Sequence, residues 1–377
     1  MVGVRELFSK VRTPLAIWFG NRLAVFLVAY LGLVAQPGDP RLGKFPKNLF
    51  LHTWFRWDSG WYLRIAEEGY KNNPSEIQKP MNFFPGYPLA IRWFNVFCDD
   101  MVASSLIVSN LSLLFACVLL YRYLARQYDE SVATRSLVLM LCHPYAFIFS
   151  AAYTESLFLL GVAGAFYFSR SNRWLTASLF AAIAGATRLV GFLALIPVFF
   201  AYMQRRKWRI TGIRPDILLL GAGLLGTGGY MLFLYLEFDE PLMFMRTQWV
   251  PGWGDRPSLS AAIDLLHRVG RLNSVLRGHF DSIYLLNGVL GVLSLGLCVV
   301  GMRRLGVAAT LWAVGSMVIS LRLWTAAGRY SVVVWPVFVV LALMTRKRDV
   351  AYQSILTLFC VIQSLYIYLF AHGRFLG

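Results

Sequence analysis

Residues 101–121 read Met-Val-Ala-Ser-Ser-Leu-Ile-Val-Ser-Asn-Leu-Ser-Leu-Leu-Phe-Ala-Cys-Val-Leu-Leu-Tyr, a run without a single charge. At about 1.5 Å of rise per residue it covers the ~30 Å of a bilayer's hydrocarbon, where every backbone polar group must be satisfied within the segment. The run is therefore read as a membrane-spanning helix. By the same measure spans fall near 14–34, 101–121, 136–150, 154–169, 174–187, 189–203, 216–236, 281–301, 305–321, 330–344 and 350–370. This predicts an all-α membrane protein, a polytopic helical bundle of about eleven spans, between roughly nine and thirteen. Several runs between 136 and 203 are short, which predicts tilted, broken or partial spans there. The chain 1–377 is read as one transmembrane domain.

Composition agrees. Apolar residues make up 58% of the 377 and charged residues only 15%, and mean hydropathy is +0.57, so an ordinary soluble domain is excluded. With 28 Phe, 18 Tyr and 12 Trp the chain has too much apolar surface to remain disordered. Cys98, Cys117, Cys142, Cys298 and Cys360 are scattered without metal-ligand spacing and read as small core hydrophobes. The run after Arg5, Lys10 and Arg12 imitates a signal peptide but is too long and lacks a small-residue cleavage site, so it is read as a retained helix.

The net charge of +17, from 36 Lys and Arg against 19 Asp and Glu, has a topological reading. The short connections Arg122 to Arg135, Arg170 to Arg173, Arg205 to Arg214, Arg303 with Arg304 and Arg346 to Arg348 fall on the side of the N-terminus. Together with Arg5, Lys10 and Arg12 they hold half of the 36 basic residues. The positive-inside rule makes that side cytoplasmic and puts the loops 35–100 and 237–280 outside. Anionic membrane lipid then suffices as partner for the basic face, and no nucleic acid is needed.

The first outer loop carries the most information. Trp54, Trp57, Trp61 and Ile65 recur at three to four residues, which predicts a helical piece lying in the interface on one aromatic face. Gly69 stops it, and Asn82-Phe83-Phe84-Pro85-Gly86-Tyr87-Pro88 forms a proline-stiffened elbow before a second helical piece. The second outer loop has Pro241, Pro251, Gly252, Gly254 and Pro257 as turn residues.

Ionisable groups next to hydrocarbon are costly, so each is a functional candidate weighed against a bland role. Asp58, in Arg56-Trp57-Asp58-Ser59-Gly60-Trp61-Tyr62, is a reacting acid, or a helix N-terminal charge that favours the macrodipole, or a partner of Arg56 or Arg64. Glu155 follows Tyr153 and Thr154, where Thr154 as N-cap with an acid in the first turn is an adequate structural account. His143 before Pro144 reads as a hydrogen-bonded helix end, since no second histidine has the spacing for a metal site. Arg188 and Arg329, next to Tyr330, sit at outer span ends. They either snorkel or bind phosphate, which a planar guanidinium suits. Gln248 and Trp249 suit a sugar ring or an interfacial anchor equally. No phosphate-cradling glycine loop, H-E-x-x-H, nucleophile elbow or Cys/His cluster occurs in the sequence. An acid, aromatics and arginines on one outer face fit transfer of a group from a lipid phosphate.

Residues 56–70 (Arg-Trp-Asp-Ser-Gly-Trp-Tyr-Leu-Arg-Ile-Ala-Glu-Glu-Gly-Tyr), then Phe83-Phe84-Pro85-Gly86-Tyr87-Pro88, then His143-Pro144 with Tyr153-Thr154-Glu155-Ser156-Leu157-Phe158 stand in this order. They resemble the PIG-V family of GPI mannosyltransferases and its prokaryotic relatives. Gly185-Ala186-Thr187-Arg188, Gln248-Trp249 and Gly328-Arg329-Tyr330 look like weaker later motifs. The resemblance implies a GT-C glycosyltransferase fold, a polyprenyl-phosphate sugar as donor, mannose as the sugar, and a catalytic acid in the first outer loop. Asp58 becomes the leading base. The compact chain looks more prokaryotic than eukaryotic, which favours an inner membrane over the endoplasmic reticulum and a glycolipid or glycan other than the GPI precursor as acceptor. A small membrane partner subunit is implied by the eukaryotic relatives.

The expected mechanism is inverting and needs neither metal nor other cofactor. Asp58 accepts the acceptor's hydroxyl proton, and Arg188 or Arg329 stabilises the departing polyprenyl phosphate. His143, Tyr153, Thr154 and Glu155 orient the acceptor or hold the arginines. Arg56, Trp57, Trp61, Gln248, Trp249 and Tyr330 complete the pocket. The rivals are a flippase for lipid-linked sugars, for which inverted repeats and paired broken helices are the usual sign, and a non-catalytic assembly subunit.

Overall fold

The computed structural model describes residues 2–36, 49–72, 79–247, 281–321, 326–374 and 376, and every regular element among them is helical. The principal helices are α1 (Val2–Ala35), α2 (Ser59–Glu68), α3 (Gly86–Cys98), α4 (Met101–Gln127), α5 (Glu130–Cys142), α6 (Glu155–Arg170) and α7 (Trp174–Thr187). They continue as α8 (Leu195–Arg205), α9 (Leu225–Phe238), α10 (Asp281–Val300), α11 (Val307–Ser320), α12 (Ala327–Ser331), α13 (Pro336–Met344) and α14 (Asp349–Ala371). Short 3-10 stretches at Ala146–Ser150, Leu189–Ala194 and Pro215–Leu224 connect some of them.

Each sequence-predicted span coincides with helix. Four segments, Val11–Ala35, Met101–Gln127, Pro215–Phe238 and Asp349–Ala371, are individually long and apolar enough to cross a membrane. Trp174–Thr187, Leu189–Arg205, Leu285–Val300 and Val307–Ser320 are apolar but shorter. The sequence count of about eleven thus meets four full-length helices by this measure, because several runs are divided by 3-10 turns or prolines.

The predicted span 136–150 is one of the divided runs. α5 ends at Cys142, and Pro144 prevents its continuation. Its exposed carbonyls are satisfied by polar side chains of other helices: Asn21 Nδ2 of α1 donates to Leu141 O at 3.0 Å, and Gln363 Nε2 of α14 donates to Leu141 O at 3.0 Å and His143 O at 2.9 Å. Arg22, beside Asn21, bonds the Ser150 hydroxyl. Burying a broken helix in hydrocarbon requires such partners. The asparagine and arginine inside the run 14–34 were the visible sign of it.

α6 is buried nearly all round and packs on α4 and α7, as a core helix with no polar face does. The crossing with α7 is close because Gly161 has no side chain: a Cβ there would lie 2.6 Å from the Ala184 nitrogen.

The first outer loop departs from its reading in one respect. The stripe read for α2 is turned inward in part, while Trp57 is exposed and Trp61 half-buried. Trp54 and Ile65 are buried, Tyr62 and Leu63 likewise, and Trp54 lies in the turn before the helix. Ten residues cannot shield their own apolar face, so it is turned onto α3 and α4. α3 does carry an outward apolar face, formed by exposed Leu89, Trp93, Val96 and Phe97. Gly69 ends α2 with φ +76°, as its place in the sequence predicts.

Candidate active site

Four segments far apart in sequence converge through ion pairs. Asp58 stands immediately before α2, Glu155 opens α6, Arg188 follows α7, and Arg329 lies in α12. Glu155 is fully buried. Its Oε1 accepts from Arg329 Nε at 2.7 Å and lies 2.5 Å from Arg188 Nη2. Arg329 Nη1 donates to Asp58 Oδ2 at 3.0 Å. The order Arg188, Glu155, Arg329, Asp58 is thus an alternating chain of charge, and two acids against two bases leave it neutral. A buried carboxylate is tolerated only when so compensated.

Exposure increases along that chain at its two ends. Arg329 is 6% exposed in its side chain and Asp58 is 29% exposed. Arg188 is 13% exposed against 0% for Glu155. Among the described residues Asp58 Oδ1 and Arg188 Nη1 have no hydrogen-bond partner, so the chain ends in one unused acceptor and one unused donor on part-exposed side chains. Arg188 Nε donates to Thr154 Oγ1 at 2.8 Å, and its guanidinium carbon lies 5.1 Å from the Tyr330 ring centroid.

Asp58 and Glu155 do stand at the helix N-termini read for them, but the cap hydrogen bond and the local ion pairs weighed beside that role are not made. Asp58 makes no side-chain cap to α2 and pairs with Arg329, while Arg56 Nη2 reaches Ala371 O at 2.8 Å and Arg64 lies 3.8 Å from Glu68. Thr154 likewise makes no side-chain cap, its hydroxyl accepting from Arg188 instead, and Glu155, in the first turn of α6 as read, is also the hub of an ion-pair cluster. Local spacing could not show this, since the partners lie 174 and 271 residues away.

The Asp58 segment is held from behind. Tyr153 donates its hydroxyl to Arg56 O at 3.1 Å, and Ala152 N donates to Trp54 O at 3.0 Å. The Arg329 guanidinium carbon lies 4.5 Å from the Tyr153 ring centroid. Burial raises the pKa of the Tyr62 and Tyr153 phenols, so both stay protonated beside Asp58 and neither serves as a base. Trp57 adopts φ +51° and is 49% exposed. That left-handed backbone costs a tryptophan of order 1 kcal/mol and sets its ring at the accessible edge next to Asp58. Trp61 stacks on Phe83 at 5.7 Å. Tyr87 donates to Ser105 O at 2.8 Å, which fixes the aromatic elbow against α4. At the same elbow a Cβ on Gly86 would lie 2.8 Å from Ala186 O, so α3 starts directly against the turn that carries Arg188.

Other sequence candidates lie apart from the chain. His143 is the residue closing α5, as read, with Nδ1 accepting from Tyr145 N at 3.3 Å. Its Nε2 is 3.4 Å from Ser331 Oγ, so it reaches the Arg329 helix without touching an arginine. Gln248 and Trp249 lie outside the described residues, as does the second outer loop beyond residue 247. Tyr62, buried against Phe83 and Tyr87 at 5.1 and 5.3 Å, was not singled out in the sequence, where it is one more aromatic in an aromatic run.

An ion-pair chain with a part-exposed acid at one end and a part-exposed guanidinium at the other, set in an apolar helical body, is the candidate site of this membrane protein. The resemblance read from the motifs is borne out: the family model described as mannosyltransferase (PIG-V) matches residues 44–222. The match includes Asp58, Glu155 and Arg188, with Arg329 beyond it. No curated protein matches the chain. Among solved structures the chain is similar to the oligosaccharyltransferase of Archaeoglobus fulgidus, crystallised with zinc and sulfate. That likeness has 13% identity and a TM-score of 0.43 over 93% of this chain. The chain spans about half of that protein, 53% of its length.

Proposed function

We propose that this protein is a membrane glycosyltransferase that moves mannose from a polyprenyl-phosphate sugar to a glycolipid or glycan acceptor on the outer side of the membrane, with inversion at the anomeric carbon. The observation that carries the reading is the Asp58 carboxylate, part exposed, with Oδ2 held by Arg329 and Oδ1 open, inside the segment that the mannosyltransferase model matches.

In this mechanism Asp58 Oδ1 takes the proton of the acceptor hydroxyl as that oxygen attacks the anomeric carbon. The bond to the phosphate oxygen breaks, and the departing polyprenyl phosphate gains negative charge. Arg188, with Nη1 open, meets that charge through charge-assisted hydrogen bonds. Arg329 is occupied by both acids and fixes their positions instead. Thr154 and Tyr330 hold Arg188, and Trp57 offers the sugar a face to stack on. No metal or other cofactor is required by this scheme.

The N-terminus is cytoplasmic in this reading, the membrane is a prokaryotic inner membrane, and the spans number about eleven. Helix at each of the sequence-predicted spans supports the count. The test is mass spectrometry of the glycolipid formed when purified protein meets a series of polyprenyl-phosphate sugars. A mannosylated product from the mannosyl donor, absent for Asp58→Asn, is expected. Movement of intact donor across vesicles with no glycoside formed would overturn the proposal in favour of a flippase.

A further inference from the structure

At the far end of α6 a second group of arginines has no acid. Tyr167 is buried near that end, and the guanidinium carbons of Arg122 and Arg126 lie 5.4 and 5.1 Å from its ring centroid. Arg170, three residues beyond Tyr167, bonds Gln127 at the end of α4. Among the described residues none of the three has a carboxylate within ion-pair distance, and Arg122 Nε is buried without a partner. Neighbouring helix ends differ. Arg135 pairs with Asp349, Arg206 with Asp216 and Arg346 with Asp129. Asp129, close along the chain, is spent on Arg346 at 2.7 Å and on Val132 N at 2.8 Å. Glu130 stands exposed at the start of α5. Two cations sharing one ring repel each other unless an anion joins them.

The same face of α4 continues toward the middle of the span as Val118, Phe115 and Leu111, at helical spacing, with Phe115 and Leu111 exposed. One helix face therefore presents guanidinium groups at its end and an apolar strip along its length. Free phosphate would use only the first. Tyr128 donates to Arg304 O at 3.0 Å, which brings the Arg303-Arg304 turn beside this end and adds positive charge.

We propose that the ends of α4 and α6 bind the headgroup of an anionic phospholipid, with its phosphate on Arg122, Arg126 and Arg170 and an acyl chain along Val118, Phe115 and Leu111. Planar guanidinium groups take phosphate oxygens in pairs, and burial of the chain adds the apolar contribution.

The test is native mass spectrometry of full-length delipidated protein offered equal dioleoyl-phosphatidylglycerol and dioleoyl-phosphatidylcholine. Wild type is expected to retain the anionic lipid preferentially. Arg122→Gln with Arg126→Gln should lower that affinity about thirty-fold, the worth of two charges at a membrane surface, whereas Arg209→Gln on another turn should change it less than about two-fold. Arg122→Lys with Arg126→Lys, which keeps both charges but loses the paired guanidinium geometry, should fall between wild type and the double glutamine variant. On wild type alone, dihexanoyl-phosphatidylglycerol should bind at least about ten-fold more weakly than the long-chain lipid. Equal retention of the two long-chain lipids, or equal loss in Arg209→Gln, would overturn the site. Displacement by millimolar inorganic phosphate would overturn the lipid in favour of a free-phosphate site.

Discussion

α6 starts at Glu155 and finishes at Arg170, roughly 22 Å away along its axis, and its two ends treat charge in opposite ways. At the first, each arginine has a carboxylate and the set is neutral: Arg188 and Arg329 on Glu155, and Arg329 again on Asp58. At the second, Arg122 and Arg126 flank the Tyr167 ring and Arg170 bonds Gln127, with no acid paired to them among the described residues. A reaction site has to be organised before its substrate arrives, so it carries its own counter-charge. A membrane-anchoring site draws that charge from the lipid. Arginine by itself therefore says little in such a chain; whether it is compensated says more.

The largest effect that tests this contrast is on stability. Glu155→Ala leaves two arginines without their shared carboxylate, and a loss of about 3–5 kcal/mol is expected, read as a lowered thermal midpoint in detergent. A variant as stable as wild type would show that the neutral end is not held by its hub. Next in size is Arg188→Gln. Removing a charge-assisted hydrogen bond of about 1.5–3 kcal/mol to the departing phosphate should lower kcat/KM for the polyprenyl-phosphate donor roughly ten- to hundred-fold, with kcat falling, while the protein stays folded. An unchanged kcat/KM would move the phosphate away from this residue.

Salt separates the two ends with a smaller effect. Between about 0.05 and 0.5 M, retention of the anionic lipid at the α4–α6 end should fall several-fold, because exposed charges are screened. The buried pairs around Glu155 should be little altered, and the thermal midpoint is the readout. The smallest change is expected from Tyr153→Phe. It loses the bond to Arg56 O, worth of order 1 kcal/mol. Because burial holds the phenol protonated in wild type, the pH profile of transfer should keep its shape, and an alkaline limb lost with the phenol would contradict that.

Much of this was legible in the sequence, and the reasons for the rest are physical. Helical runs announce themselves because hydrocarbon tolerates little else, and helix is found at each of them, including the break before Pro144. Asp58, Glu155, Arg188 and Arg329 were visible as charges out of place in a membrane. Their pairing was not, since no local pattern links residue 58 to residue 329, and the near neighbours Arg56 and Arg64 were the closer choices along the chain. Trp54 and Ile65 read as a lipid-facing stripe because periodicity reports one apolar face without reporting what covers it. Here α3 and α4 cover it, and the exposed aromatic face of this loop is formed instead by Trp93 and Phe97 of α3. Arg22 was overlooked, although a charge in the middle of the run 14–34 was signal enough.

The most direct measurement is transfer by Asp58→Asn under single-turnover conditions, with donor binding measured on the same preparation. The expected result is a rate lowered about a hundred- to ten-thousand-fold, with donor affinity within a few-fold of wild type because Arg188 and Glu155 are untouched. Transfer at the wild-type rate would contradict the assignment of Asp58 as the base.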